Sequence, residues 1–438
     1  MVKRSSNAYL VGLAMILGDG LATVSVGRAA EQLAPGTIYD PPSSLPLAQD
    51  IGKREHTHLK IMVPPMRGGV VAKPPPLGGV SPLTTPVPGF FFETPASLAC
   101  LYGLTAVVVG CNPNTVTANS TGGSKAIAIV DAYDYPNATT DLATFSRQFG
   151  LPAPTAANFK VVYASGVKPP DGTGSGWDVE AALDIEYAHG MAPKALVYLV
   201  ETNSASYADL FVGVRKASAL VAAAGGGEVS MSFGGSEFAG EQSLDSSMTT
   251  PKVVYFASSG DSAGTEYPCV SPNVVCVGGA GNSRNQVTGK FEGSIAWGNA
   301  GGGISTYEAR PSYQAAISYL VGAKRGAPDV AAVADPNTGA WVYNAANGGW
   351  MPVGGTSLAS PVTAAIVNAA GHFYASTAIE QSNIYATLGT PGAGWNDVTS
   401  GACGLYDGFM AGQGYDFCTG VGTPGGFAYK VVVGRPPP

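Results

Sequence analysis

From Thr94 onward, short apolar runs that read as strands alternate with stretches that read as helices, and this alternation limits the fold more than any other feature. AIAIVDAY is followed by DLATFSRQFG and ALVYLVE by SYADLFVGVRKASALVAAA, while EVSMSF, VVYFASSGD and VVCVGG supply further strand-like runs. Such a pattern predicts an α/β fold in three layers, with a mostly parallel central sheet and helices on both faces. In sheets of this kind the reactive groups gather beyond the carboxyl ends of the strands.

The 438 residues would allow two or three domains at about 150 residues each, but composition favours one large domain over residues 95–430. Hydrophobic residues make up 45%, enough for a substantial core, whereas charged residues reach only 12%. Between Leu33 and about Thr94 proline dominates, in PPSSLP, PPM and KPPPLGG. Proline donates no backbone N–H and fixes φ, so residues 31–94 are expected to be an extended leader or linker without ladders or helices. Residues 1–30 carry Lys3 and Arg4, then the apolar AYLVGLAMIL, then small residues at Ala29 and Ala30, the layout of a secretory signal. The last stretch, 431–438, ends in GRPPP and reads as a flexible tail.

A net charge of -7 with no basic run excludes nucleic acid as a partner. Few charges are present to repel one another as carboxylates protonate, which suits work at low pH. No run after the signal is long and apolar enough to span a bilayer. The six cysteines fall into three near pairs, Cys100 with Cys111, Cys269 with Cys276, and Cys403 with Cys418. In an exported chain these are expected to form short-loop disulfides. Without a C-x-x-C or a histidine at ligand spacing, they are not a zinc site. A secreted or periplasmic monomer without stable membrane association is the resulting expectation.

Chemistry is concentrated in four segments. VGGTSLASP, Val353 to Pro361, places Ser357 after a Gly-Gly turn at the start of an apolar helix, which is how a nucleophilic serine is presented. Of four histidines, His56 and His58 lie in the Pro-rich stretch, so a Ser-His-Asp relay would have to use His189 or His372. A carboxylate base is the other choice, and Glu180 and Asp184 in WDVEAALDIEYAHGMAP stand one helical turn apart. Two carboxyls sharing a poorly solvated site titrate as a unit, one keeping its proton. In SSGDSAG, Asp261 follows a buried-type strand, where a protonated acid could donate to a developing oxyanion. Finally, NDVTSGACGLYDGFMAGQGYDFCTG combines Asp397 and Asp416 with a Gly412-x-Gly414 loop, an oxygen-only mixture that calcium prefers.

Taken in order, GWDVEAALD, SSGDS, GGTSLASP and the terminal DV…GQGYD resemble the sedolisin family, serine-carboxyl peptidases with a subtilisin-like fold. The likeness runs from ETPASLACLYGL to GVGTPGG and is supported by AIVDAYDYPN, EVSMSFGGSE and GGGIS…RPSYQ. The resemblance implies Ser357 as nucleophile, Glu180 as its general base, and Asp184 as the carboxyl that hydrogen-bonds and orients Glu180. It implies Asp261 as oxyanion donor together with the Ser357 N–H, and Asp131 as a supporting acid behind the pair. One Ca²⁺ would be held by the side chains of Asp397 and Asp416 and the carbonyls of Val398, Gly412 and Gly414. The implied activity is endopeptidase cleavage of proteins or peptides at acidic pH. Competing expectations are a neutral Ser-His-Asp hydrolase and a secreted binding protein that keeps the fold without catalysis. Phe233, in SMSFGG, stands where relatives often carry tryptophan.

Overall fold

The computed structural model describes residues 34–67, 69–75, 90–106, 108–371, 373–390, 394–405 and 408–425. The signal-like residues 1–30, His372 and the tail 431–438 lie outside them. The elements that matter for the site are, in chain order, β1 (His56–Thr57), β2 (Lys60–Met62), α1 (Pro95–Leu101), β3 (Ala126–Ala132), α2 (Ala138–Phe149), β4 (Phe159–Tyr163), α3 (Trp177–Met191), β5 (Leu196–Thr202), α4 (Tyr207–Ala223), β6 (Gly227–Met231), β7 (Phe233–Ser236), β8 (Val253–Ser258), β9 (Glu266–Tyr267), β10 (Val275–Arg284), β11 (Phe291–Ala296), β12 (Val330–Val333), β13 (Ala340–Asn344), β14 (Gly349–Gly354) and α5 (Thr356–Ala370).

The central sheet runs β11-β10-β8-β6-β3-β5-β4, with β12 also on β10. All its pairs are parallel except β10 with β11. Because successive side chains of a strand point to opposite faces, the sheet feeds two cores. Ile127 and Ile129 of β3, with Val197 and Leu199 of β5, join α3 and α5 on one side. Ala126, Ala128 and Val130, with Tyr198 and Val200, join α4 on the other. The three-layer α/β expectation holds. All three expected disulfides form, Cys100–Cys111, Cys269–Cys276 and Cys403–Cys418.

The Pro-rich stretch departs from expectation. Far from lacking ladders, its residues 34–67 are woven into the main domain. β1 pairs antiparallel with β7, Phe233 facing Thr57 and Gly234 facing His56. β2 pairs antiparallel with β14, Val353 facing Ile61 and Gly354 facing Lys60. Glu55, His56, Thr57, His58 and Leu59 are all buried. The prolines cluster on either side of EHTHLKIM, leaving this proline-free run with every N–H available to donate.

Candidate active site

Both carboxyls of the acidic pair come from α3. That helix is buried along its whole length, Glu180 and Asp184 included, so the solvated face that such a pair usually forms is absent here. Asp131, near the end of β3, is buried with them. Burial raises the Glu180 pKa most, and the charges of Asp184, Asp131 and, to a smaller extent, Asp261 add to it. Asp184 is raised by burial and then by Asp131, against a hydrogen bond from Ser232. Asp131 is raised by burial and by Glu201. Three carboxyls with so little water cannot all ionise, so they retain protons well beyond the ordinary carboxylate range.

One implied contact is not made. Neither Glu180 oxygen has a hydrogen-bond partner among the described residues, so Asp184 does not bond it directly. Asp184 Oδ1 accepts from Ser232 Oγ at 2.8 Å, and its Oδ2 is unpartnered. Two carboxylates can bond only through a shared proton, whereas the Ser232 hydroxyl always has one to give.

Ser357 lies in the first turn of α5, directly beyond the carboxyl end of β14. Gly355 has φ +99, and a Cβ there would run into the His58 carbonyl and come within 2.7 Å of Asp261 Oδ2; only glycine fits. Pro361 lies one turn after Ser357 and has no N–H to return to the Ser357 carbonyl. Ser232 Oγ lies 3.1 Å from that carbonyl and shares its one proton between it and Asp184 Oδ1, while Ser357 Oγ donates to the Ser232 carbonyl at 3.2 Å. Ser232 thus joins the nucleophile's helix to Asp184.

Asp261 follows β8. Its Oδ1 accepts the Thr356 N–H at 2.8 Å and the Thr356 hydroxyl at 2.9 Å, and its buried Oδ2 has no partner. Burial raises its pKa to about 6, with His58, Lys60 and the Thr356 bonds pulling it back. Below that value Oδ2 can carry a proton and donate it.

Residues 55–60 cross this site. The His58 N–H donates to Ser357 Oγ at 3.0 Å, and the Ser357 N–H donates to the His58 carbonyl at 3.0 Å. The His58 ring turns away from the serine, its Nδ1 2.6 Å from Ser258 Oγ and its Nε2 2.7 Å from Glu266 Oε2. His56 Nε2 stands 3.3 Å from Asp50 Oδ2. His189 Nε2 is 2.7 Å from the Pro152 carbonyl, at the far end of α3. Among the described residues no imidazole nitrogen bonds Ser357. Ser232, Thr356, Ser258, Glu266 and His58 were not singled out from sequence; only the SMSF run and the Thr beside Ser357 hinted at the first two.

The C-terminal loop ties each of its two aspartates to the Gly412–Gly414 turn. Asp416 Oδ2 accepts the Gly412 N–H at 3.0 Å, and Asp397 Oδ2 accepts the Gly414 N–H at 2.8 Å. With the loop amides used in this way, no main-chain amide among the described residues donates to the carbonyls of Val398, Gly412 or Gly414. Burial raises the Asp416 pKa despite bonds from Gly412, Thr419 and Cys418, a strain that a hard cation would relieve. The donor set fits calcium. It contains only two carboxylates, and no group of three or more His, Cys, Asp or Glu suited to a metal occurs among the described residues.

No protein-family model matches the chain. Kumamolisin of Bacillus sp. (strain MN-32) is 29% identical over 350 residues, 69% of this chain and 59% of that protein. Sedolisin of Pseudomonas sp. (strain 101) is 26% identical over 340 residues, 69% of this chain and 57% of that protein. The structure of Pseudomonas sedolisin, a serine-carboxyl proteinase complexed with two molecules of pseudo-iodotyrostatin, superposes with a TM-score of 0.64 at 22% identity. That superposition covers 78% of this chain and 98% of the other, and it establishes the subtilisin-like fold. The chain is similar in sequence to these two serine-carboxyl peptidase relatives and shares the fold of sedolisin. The chain spans less than two thirds of the length of the two relatives, 59% and 57%. Among its described residues no helix is long and apolar enough to cross a membrane.

Proposed function

We propose that the protein is a serine-carboxyl endopeptidase that cleaves proteins or peptides at acidic pH, acting outside the cytoplasm as its disulfides and signal-like start suggest. One observation carries this reading: a buried cluster of carboxyls with unpartnered oxygens is linked to Ser357 through Ser232, and no described imidazole is in place to serve the serine. Ser357 Oγ attacks the peptide carbonyl carbon while Glu180 takes its proton, with Asp184 and Asp131 stabilising the position of that proton. The oxyanion receives hydrogen bonds from the Ser357 N–H and from protonated Asp261. Glu180 then gives the proton to the leaving amine, and water hydrolyses the acyl-enzyme by the same route in reverse.

These roles fix the pH dependence. Donation by Asp261 requires its protonated form, which is lost above about 6, so kcat/KM should fall roughly tenfold per unit beyond that point. At the acid end it should fall as the Glu180 cluster takes up its last proton. A pH-rate profile on a peptide library from about pH 2 to 8, with Ser357→Ala as the blank, checks both limbs. A rate that climbs steadily to the alkaline end contradicts the proposal.

One Ca²⁺ would be held by Asp397, Asp416 and the carbonyls of Val398, Gly412 and Gly414. When bound it would supply positive charge that fixes this loop, with no part in bond cleavage. At calcium about 100-fold over Kd the folded state gains about 2.7 kcal/mol. Chelation should therefore lower Tm by several degrees, and Asp397→Asn should remove most of that response. A melting curve indifferent to calcium and chelator would eliminate the site.

A further inference from the structure

The segment that crosses the active site also marks the kind of side chain the cleft accepts. The Ser357 N–H points at the His58 carbonyl, and the nucleophilic Oγ lies against the His58 N–H. Asp261 Oδ2 and the His58 carbonyl border the same point over Gly355. His58 therefore occupies the position of the residue whose carbonyl would be attacked. Residues on either side run as substrate strands do, His56 and Thr57 along β7, and Lys60 and Ile61 along β14.

The pocket that receives the His58 ring is built for it. Gly234 forms one wall, where a Cβ would come within 2.9 Å of the ring Cε1 and 3.0 Å of Glu266 Oε2. Gly260 forms another wall, where a Cβ would come within 2.9 Å of Glu266 Oε1. At the base, Ser258 Oγ and Glu266 Oε2 take one ring nitrogen each. Glu266 is itself held in place by β9, paired to β7 through Ser236. The His58 side chain is 5% exposed and the Glu266 side chain 18%, so a carboxylate here selects for positive charge in a site largely shielded from water.

Resting on the peptidase reading above, we propose that Glu266, with Ser258, gives this enzyme a preference for a basic residue, His, Lys or Arg, on the acyl side of the bond it cuts. Support comes from His58 itself: burial would lower its pKa, but the charge and hydrogen bond of Glu266, with Asp261, outweigh this and raise it.

Two measurements test the proposal. In the first, kcat/KM is compared for peptides differing only in His, Lys, Arg, Gln, Leu or Glu before the cut. The parent should favour the basic set over Gln at least tenfold; Glu266→Gln should erase that ratio, and Glu266→Asp should restore part of it. An unchanged ratio in Glu266→Gln, or a parent that prefers Leu or Glu, overturns the proposal. The second needs no turnover: limited proteolysis of residues 54–60 in Ser357→Ala, carrying His58, His58→Lys or His58→Glu. Lysine should keep the segment protected, and glutamate should expose it at least tenfold faster, an effect that Glu266→Gln reverses. Equal exposure of all three overturns the pocket assignment. If no peptide is cleaved and yet this charge dependence appears, the peptidase reading fails while the pocket's preference stands.

Discussion

Glu180→Gln is expected to reduce kcat/KM by roughly 10⁴-fold or more at the pH optimum while leaving the fold intact. Glutamine has nearly the shape of a carboxylic acid, so packing around α3 is kept, but its amide cannot accept the Ser357 proton. Removing a base that works as a unit with its serine costs far more than the 10²–10⁴ or so assigned to general-base catalysis alone. The same substitution separates this chemistry from a neutral Ser-His-Asp relay, in which Glu180 would be a bystander and most activity would survive. His189 is engaged with Pro152 at the far end of α3 and His58 with Ser258 and Glu266, so neither ring serves the serine in this arrangement. A parallel measurement of Tm for parent and variant guards against unfolding as the cause. Retention of more than about a tenth of the parent rate would remove Glu180 from its assigned role.

How much of this was legible in sequence depends on the range of each interaction. The strand–helix alternation predicted the layers because the period of a strand and of a helix is written in neighbouring residues. The turns that carry Ser357 and Asp261 were legible for the same reason, each being short, Gly-rich and placed after a strand. Burial of Glu180 and Asp184 was partly legible: the Ala, Leu and Ile around them suggested packing, though not that the whole of α3 would be enclosed. What could not be read was His58 against Ser357, a contact between residues 299 positions apart. Proline content argued correctly against ladders at the described prolines of the stretch and wrongly for the proline-free EHTHLKIM run between them. Ser232 was hidden for another reason. Its role depends on the carbonyl left without a donor by Pro361, a consequence visible only once β6 and α5 are side by side.

Stability should fall, not rise, as pH is taken from about 4 to 8. Most proteins lose stability in acid because paired carboxylates must be protonated on unfolding, but here the buried acids are raised. Burial is the main cause at Glu201, raised from 4.5 to about 7, Glu308, to about 7, and Glu241, to about 8. Asp261 moves from 3.8 to about 6, and Glu55, Glu186 and Glu228 are raised well above 4.5, again chiefly by burial. Between the unfolded and folded values the native state binds more protons than the unfolded chain. The slope of unfolding free energy with pH is then negative, about 1.4 kcal/mol per pH unit for each group within its window. His58 acts in the same direction, since its raised pKa gives stabilisation that is complete below the unfolded value and lost as pH rises past the folded one. With several groups in their windows at once, Tm at saturating calcium should drop by roughly 10 °C or more over this range. Replacing Glu241 by Gln, which fixes the neutral form in both states, should flatten the slope above about 5. Thermal melts across the series measure both effects, and a Tm that increased toward neutrality would mean that these acids are ionised in the folded protein, leaving the carboxyl cluster beside Ser357 without the proton-retaining environment its chemistry requires.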